Sequence, residues 1–247
     1  SYRLDSKDAF SFQYNFHNRN SITAIFEDQV GRLWVGTYDN GLYTFDRGTK
    51  RFSRFQEGSF ANNSATNRIL SISESDVNER LSLWIGTLGG GLVRYDENGI
   101  KTYNTSNSKI ADNTIVAVYP DSKNENILWI GTHGSGALRF HTAQEKFETF
   151  KHRVGNSASL SGNTVTSFLR DISGHLWIAT QNNGLNMFDP HTSKFTHFNY
   201  DPQSSCSIGS NKILNLFQDK TGIIWIGTML GCGANKLNIF KNKFDHF

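Results

Sequence analysis

Proline is scarce in this chain, three residues in 247, and cysteine and methionine occur only twice each. So little proline argues against a proline-rich linker, and two cysteines are too few for a disulfide-stapled scaffold. No run of about 18 apolar residues is present, which excludes a membrane-spanning helix. Nor is one charge in excess: 25 basic residues stand against 22 acidic ones, a net charge of +3, without a block of like charges. That balance gives no electrostatic footprint for nucleic acid or for membrane contact. The N-terminal residues lack the basic start and apolar core of a signal peptide, and residue 1 is Ser. We therefore expect a piece of a longer protein, whose location the missing leader does not reveal.

Catalytic signatures are missing too. There is no nucleophile elbow, no phosphate-binding glycine loop and no evident carboxylate pair, so no catalytic residue and no cofactor are assigned. The eight histidines are scattered over different segments, whereas a metal site needs several ligands converging, so no metal ligand is assigned either.

What the chain does have is phenylalanine (19) and glycine (22), a composition suited to many short strands joined by tight turns. It also repeats. All five tryptophans, Trp34, Trp84, Trp129, Trp177 and Trp225, sit in one phrase, Leu/Ile-Trp-Ile/Val-Gly/Ala-Thr, at intervals of 50, 45, 48 and 48 residues. That period fits one four-stranded propeller blade. A Gly-led strand follows each phrase, then an aromatic-rich outer strand such as Phe195-Thr196-His197-Phe198. An Asn announces the strand before each phrase: Asn20, Asn67, Asn113, Asn163 and Asn211. Four residues on, the side chain is short (Ala24, Ser71, Ala117, Ser167, Asn215), as expected where first strands converge.

The expected fold is all-β, a β-propeller of five complete four-stranded antiparallel blades spanning 20–66, 67–112, 113–162, 163–210 and 211–247. Residues 1–19 are read as a half-blade of a preceding blade with its linker. Trp is expected to fill the wedge between blades, burying about 150–250 Å², and the Gly two residues later to admit a neighbouring backbone or ring. The repeating Asn is expected to be structural, its side chain mimicking a turn. Turns of the form Asp-x-x-Gly at Asp28, Asp171 and Asp219 join the first two strands of blades 1, 4 and 5, while blades 2 and 3 carry longer loops there. Such a turn is similar to the Asp-box of sialidases with one extra residue before the Gly, a structural element without chemistry.

Function is expected on the face where the loops between second and third strands emerge, because there the blades differ while the strands do not. Tyr38, Asp39, Arg68, His133, Gln181, Asn182 and Met229 are the candidate ligand-binding residues, able to hydrogen-bond to and stack on a polar ligand such as an oligosaccharide. Cys206 and Cys232 fall on the same face and either pair as a disulfide or stay as two thiols; spacing does not decide.

The Asn, Asp-x-x-Gly, Leu-Trp-Ile-Gly-Thr and Gly-Leu-x-x-Phe-Asp series resembles the two-component regulator propeller repeat along nearly the whole chain. Ala179 in place of Gly, and one residue inserted before Gly233, depart from it. The resemblance implies the periplasmic or extracytoplasmic sensor region of a bacterial inner-membrane signalling protein, with carbohydrate fragments as ligands of many members. A histidine kinase, often hybrid, or a diguanylate cyclase is the implied output domain. It also implies a seven-bladed ring, so that the remaining blades of the parent protein are expected partners, and self-association through uncovered blade faces is expected of a partial array. A structural or protein-interaction propeller is the alternative reading, and a propeller lyase or hydrolase the remote one.

Overall fold

The structure is a computed structural model that describes residues 21–58, 60, 63–77, 80–204, 207–229, 233–238 and 243–246. The expected half-blade 1–19, Asn20, Cys206 and Cys232 lie outside the described residues.

Twenty strands form five four-stranded antiparallel sheets, each built from consecutive strands in chain order. Blade 1 comprises β1 (Ile22–Glu27), β2 (Leu33–Thr37), β3 (Leu42–Asp46) and β4 (Arg51–Arg54). Blade 2 comprises β5 (Ile69–Asp76), β6 (Leu81–Thr87), β7 (Leu92–Asp96) and β8 (Gly99–Tyr103). Blade 3 follows with β9 (Ile115–Pro120), β10 (Ile127–Thr132), β11 (Ala137–His141) and β12 (Lys146–Phe150). Blade 4 holds β13 (Val165–Arg170), β14 (Leu176–Thr180), β15 (Leu185–Asp189) and β16 (Lys194–Phe198). Blade 5 holds β17 (Ile213–Gln218), β18 (Ile223–Thr228), β19 (Ala234–Asn238) and β20 (Lys243–His246). This is the all-β, blade-by-blade architecture of a β-propeller, as the Trp period predicts. The described residues fall into two compact units: one runs to Ser108 and includes 113–115, and the other takes 109–112 and everything from Val116 onward.

Within each unit the blades are joined by three devices. The first is apolar. Trp34 is buried and meets Phe55 of its own blade edge-on at 5.4 Å and Tyr95 of blade 2 at 6.1 Å. Trp129 likewise sits against Phe168 and Phe188 of blade 4, at 6.1 and 5.3 Å. Trp177 belongs to a core cluster with Ile213 and Leu216 of the next blade. The indole thus fills the wedge between blades in aromatic geometries that favour the contact.

The second device is close approach. A methyl group added at Gly131 would lie 2.7 Å from the carbonyl oxygen of Val165, on the first strand of the next blade. At Ala179 the neighbouring core accommodates the methyl, which is fully buried with Ile213 and Leu216.

The third device is a repeated β-bulge. The pairing of first and second strands shifts register between Ile22 and Ala24, Ile69 and Ser71, Val165 and Ser167, and Ile213 and Asn215. Such a bulge re-aims the extra residue. In blades 1 and 4 that residue is a Thr whose hydroxyl crosses to the neighbour: Thr23 Oγ1 donates to Ile69 O at 2.7 Å, and Thr166 Oγ1 to Ile213 O at 2.9 Å. The short side chains one residue later join in, Ser167 Oγ bonding Asn215 Oδ1 at 3.1 Å.

Candidate functional site

The loops between second and third strands are fixed at both ends. At the entry, the Thr of each Trp phrase turns its hydroxyl onto the Gly that opens the third strand: Thr37 to Gly41 O at 2.8 Å, Thr132 to Gly136 O at 2.8 Å, Thr180 to Gly184 O at 2.8 Å. At the exit, the N–H of that Gly donates to the carbonyl of the next repeat's Asn: Gly41 to Asn67, Gly91 to Asn113, Gly136 to Asn163 and Gly184 to Asn211, at 2.8–3.0 Å. Gly136 has φ +81°, and a Cβ there would run into the carbonyl of Phe150, so a side chain is excluded on both counts.

The Asn side chain does more than shape a local turn. Its Oδ1 reaches back to the start of the connection that leaves the preceding blade, accepting from Thr105 N at Asn113, His152 N at Asn163 and Tyr200 N at Asn211, each at 2.8 Å. The residue therefore ties the blade exit to the next blade entry through its carbonyl and its amide together.

On this frame Tyr38, Asp39 and Arg68 come together. The Arg68 guanidinium lies over the Tyr38 ring, 5.1 Å from its centroid, and its Nε is 3.0 Å from Asp39 Oδ1. Asp39 and Arg68 are partly open to solvent and Tyr38 is exposed, so the ion pair is weak in itself but leaves an aromatic edge, a carboxylate and a cation on one accessible surface. His133 and Gln181 are linked through one residue: Thr164 donates its hydroxyl to His133 O and accepts from Gln181 N at 2.9 Å. Asn182 is exposed in the same loop as Gln181. Met229 is held by its N–H on Lys212 O at 2.9 Å, and among the described residues no hydrogen bond or ion pair joins it to the other candidates. Among the described residues no three His, Cys, Asp or Glu side chains are placed to hold a metal ion, and no helix is long and apolar enough to cross a membrane.

The Asp of the Asp-x-x-Gly turn has a role the sequence reading did not assign. Besides closing the turn, its second carboxylate oxygen accepts the indole N–H of the blade's own Trp: Asp28 from Trp34 at 2.9 Å, Asp171 from Trp177 at 2.8 Å and Asp219 from Trp225 at 2.8 Å. Asp121 does the same for Trp129 at 2.9 Å across the longer loop of blade 3, and there Arg170 of blade 4 also pairs with it. In blade 2 the acceptor is the Ser75 hydroxyl, 2.9 Å from Trp84 Nε1. Burial pushes Asp28 and Asp121 up, but the bonds they accept outweigh it and both lie below the usual carboxylate range. Asp219, bonded by Thr221 and Trp225, is lowered to about 2. The signal was present in the sequence as an Asp at fixed distance from a Trp in three blades.

Comparison with known proteins agrees with this anatomy. The family model described as "Two component regulator propeller" matches residues 18–39, 159–182 and 207–229. No curated protein matches the chain. Among solved structures, the extracellular domain of the putative hybrid two component system BT3049 from B. thetaiotaomicron superimposes with a TM-score of 0.74 at 21% identity, over 92% of this chain and 30% of that one. The extracellular domain of the putative one component system BT4673 from the same organism gives 0.69 at 23% identity, over 87% of this chain and 27% of that one. Virginiamycin B lyase from Staphylococcus aureus gives 0.69 at 11% identity, over 94% and 71%. The chain thus spans about a third of the first two relatives, and at these identities the likeness is one of fold. The three stretches matched by the family model are the entries to blades 1, 4 and 5, the blades with the short Asp-x-x-Gly turn. This chain is a β-propeller segment in which three stretches match the two-component regulator propeller model.

Proposed function

We propose that this chain is an extracytoplasmic ligand-sensing segment of a bacterial signal-transduction protein, with a small polar ligand of carbohydrate type and no reaction of its own. The observation that carries the reading is the group formed by Tyr38, Asp39 and Arg68: unlike side chains, aromatic and charged, two of them on a loop whose ends are tied by main-chain bonds and the third at the start of blade 2 beside it. A sugar offers a carbon face to stack on such a ring and hydroxyls to bond the ion pair. The family match and the extracellular two-component relatives support the sensory role. In this reading the ligand favours one arrangement of propeller and parent protein over another, and that difference in affinity is the signal.

A thermal-shift screen of neutral and acidic oligosaccharides against the chain tests it. A binder present at about 100 times its Kd adds about 2.7 kcal/mol, a rise on the order of 5–10 °C for a chain of this size. That rise is expected to vanish in Tyr38→Ala/Arg68→Ala. A screen without any shift, or a shift that survives both substitutions, refutes the proposal.

A further inference from the structure

A second surface, on the outer strands of blades 3 and 4, has the chemistry of an anion site. A cavity of about 520 Å³ is walled on one side by Thr149, Phe150 and Lys151 at the end of β12 and on the other by Ser193, Lys194 and Phe195 at the start of β16. Its third wall is the connection between the blades, from Arg153 to Ser159. The volume is in the range of small-molecule sites.

That connection is held in shape. Asn156 N donates to Arg153 O at 3.0 Å, Arg153 N to the buried Ser159 hydroxyl at 2.9 Å, and Ala158 N to Asn156 Oδ1 at 3.0 Å. It is also docked on blade 4, because Phe195 N donates to Ala158 O at 3.0 Å and the His197 ring meets Ser159 O at 2.7 Å. The Phe150 and Phe195 rings meet at 5.9 Å.

Three segments therefore each bring one cation to the same cavity, Lys151, Arg153 and Lys194, and no carboxylate lines it. Several arginines elsewhere are neutralised: Arg68 pairs with Asp39, Arg94 with Asp96 and Arg170 with Asp121. The nearest carboxylate on β12 is already taken, since Glu148 is paired with both Arg139 and His141. The turn at Asp189 likewise spends its carboxylate on His191 N and Thr192. Lys151, Arg153 and Lys194 have no such partner among the described residues.

Three unneutralised cations around a preformed cavity, with hydroxyl and amide donors at Thr149, Ser193 and Asn156, match a group with several acceptor oxygens and more than one direction of approach. We propose that this cleft binds a tetrahedral oxyanion ester, phosphate or sulfate, carried on a small polar molecule whose carbon skeleton rests against the two Phe rings. It stands independently of the loop-face reading above.

Calorimetric titration of the chain with glucose 6-phosphate, glucose 6-sulfate and glucose tests this. The esters are expected to bind and glucose is not, and affinity should fall with added salt, as for exposed cations. Binding of both esters assigns the oxyanion as the common element; binding of one alone assigns that ester. Lys151→Gln/Arg153→Gln/Lys194→Gln, all at exposed positions, should weaken the ester by roughly tenfold or more, since charge-assisted bonds are lost. Lys109→Gln/Lys123→Gln/Lys220→Gln, which removes the same net charge elsewhere, should leave it unchanged. Equal binding of glucose, equal weakening by the two triple variants, or no binding of either ester would overturn the proposal.

Discussion

Blades 1, 4 and 5 join their first two strands by the short turn that begins at Asp28, Asp171 and Asp219; blades 2 and 3 use longer loops, and the family model passes over their entries. The structure shows what the two groups share. In all five an oxygen accepts the Trp indole N–H at 2.8–2.9 Å, from Asp in four blades and from Ser75 in blade 2. What stays constant is the acceptor and not the turn. An indole buried between blades without one would leave its donor unpaired, at a cost of about 1–3 kcal/mol. The comparison also ranks the blades by how much depends on that oxygen. In blade 3 it serves Trp129 and Arg170 together, whereas in blade 2 it is an uncharged hydroxyl.

The comparison breaks most sharply in blade 3. Trp129→Ala empties a wedge lined by Phe150, Phe168 and Phe188, and denaturant unfolding should show a loss of about 3–5 kcal/mol. Asp121→Asn in the same blade keeps shape but removes the charge between Trp129 and the half-buried Arg170. A loss of about 3 kcal/mol is expected, and Arg170→Met added to it should recover part of that loss; equal losses in single and double variants would show that the guanidinium is not what Asp121 serves. Blade 2 should respond least. Ser75→Ala takes away a neutral acceptor and should cost about 1–2 kcal/mol, and it should leave acid stability unaltered, unlike loss of an Asp.

Acid stability is itself a contrast between these blades. A carboxylate held below its unfolded value contributes stability that is complete above the unfolded value and fades as pH falls through the folded one. Asp219, with an ordinary value of 3.8 and a folded value of about 2, gives a window between those limits. Melting followed from neutral pH to pH 2 should therefore fall below about pH 4, and Asp219→Ser, which installs the blade 2 solution in blade 5, should flatten that fall.

Much of the fold was legible because the Trp phrase is a packing device repeated five times, and its period alone sets the blade. The Gly and Ala two residues after Trp were legible for the same reason: close approach restricts size whatever the surrounding sequence. The bulge at Thr23 and Thr166 was not, since an alternating strand looks the same until pairing shows which residue has slipped. The reach of Asn113, Asn163 and Asn211 was hidden too, because their partners lie 8 or 11 residues back in connections of no fixed sequence. Of the loop candidates, Tyr38, Asp39 and Arg68 meet because blade 2 begins beside the loop of blade 1. The cationic cleft went unseen, as Lys151, Arg153 and Lys194 carry no motif and come together only through the path of the connection between two blades.

The carbonyl of Asn67, Asn113, Asn163 or Asn211, bonded to the Gly that closes the preceding loop, is a main-chain atom and is therefore indifferent to what the loop contains. Residues 38–40 or 181–183 can be exchanged for other short polar sequences with the hinge points of the loop unmoved. A designer wishing to change what such a surface recognises has a cassette of three positions in each of blades 1 to 4, bounded by a Thr before it and a Gly after it, that can be rewritten without renegotiating the spacing of the sheets.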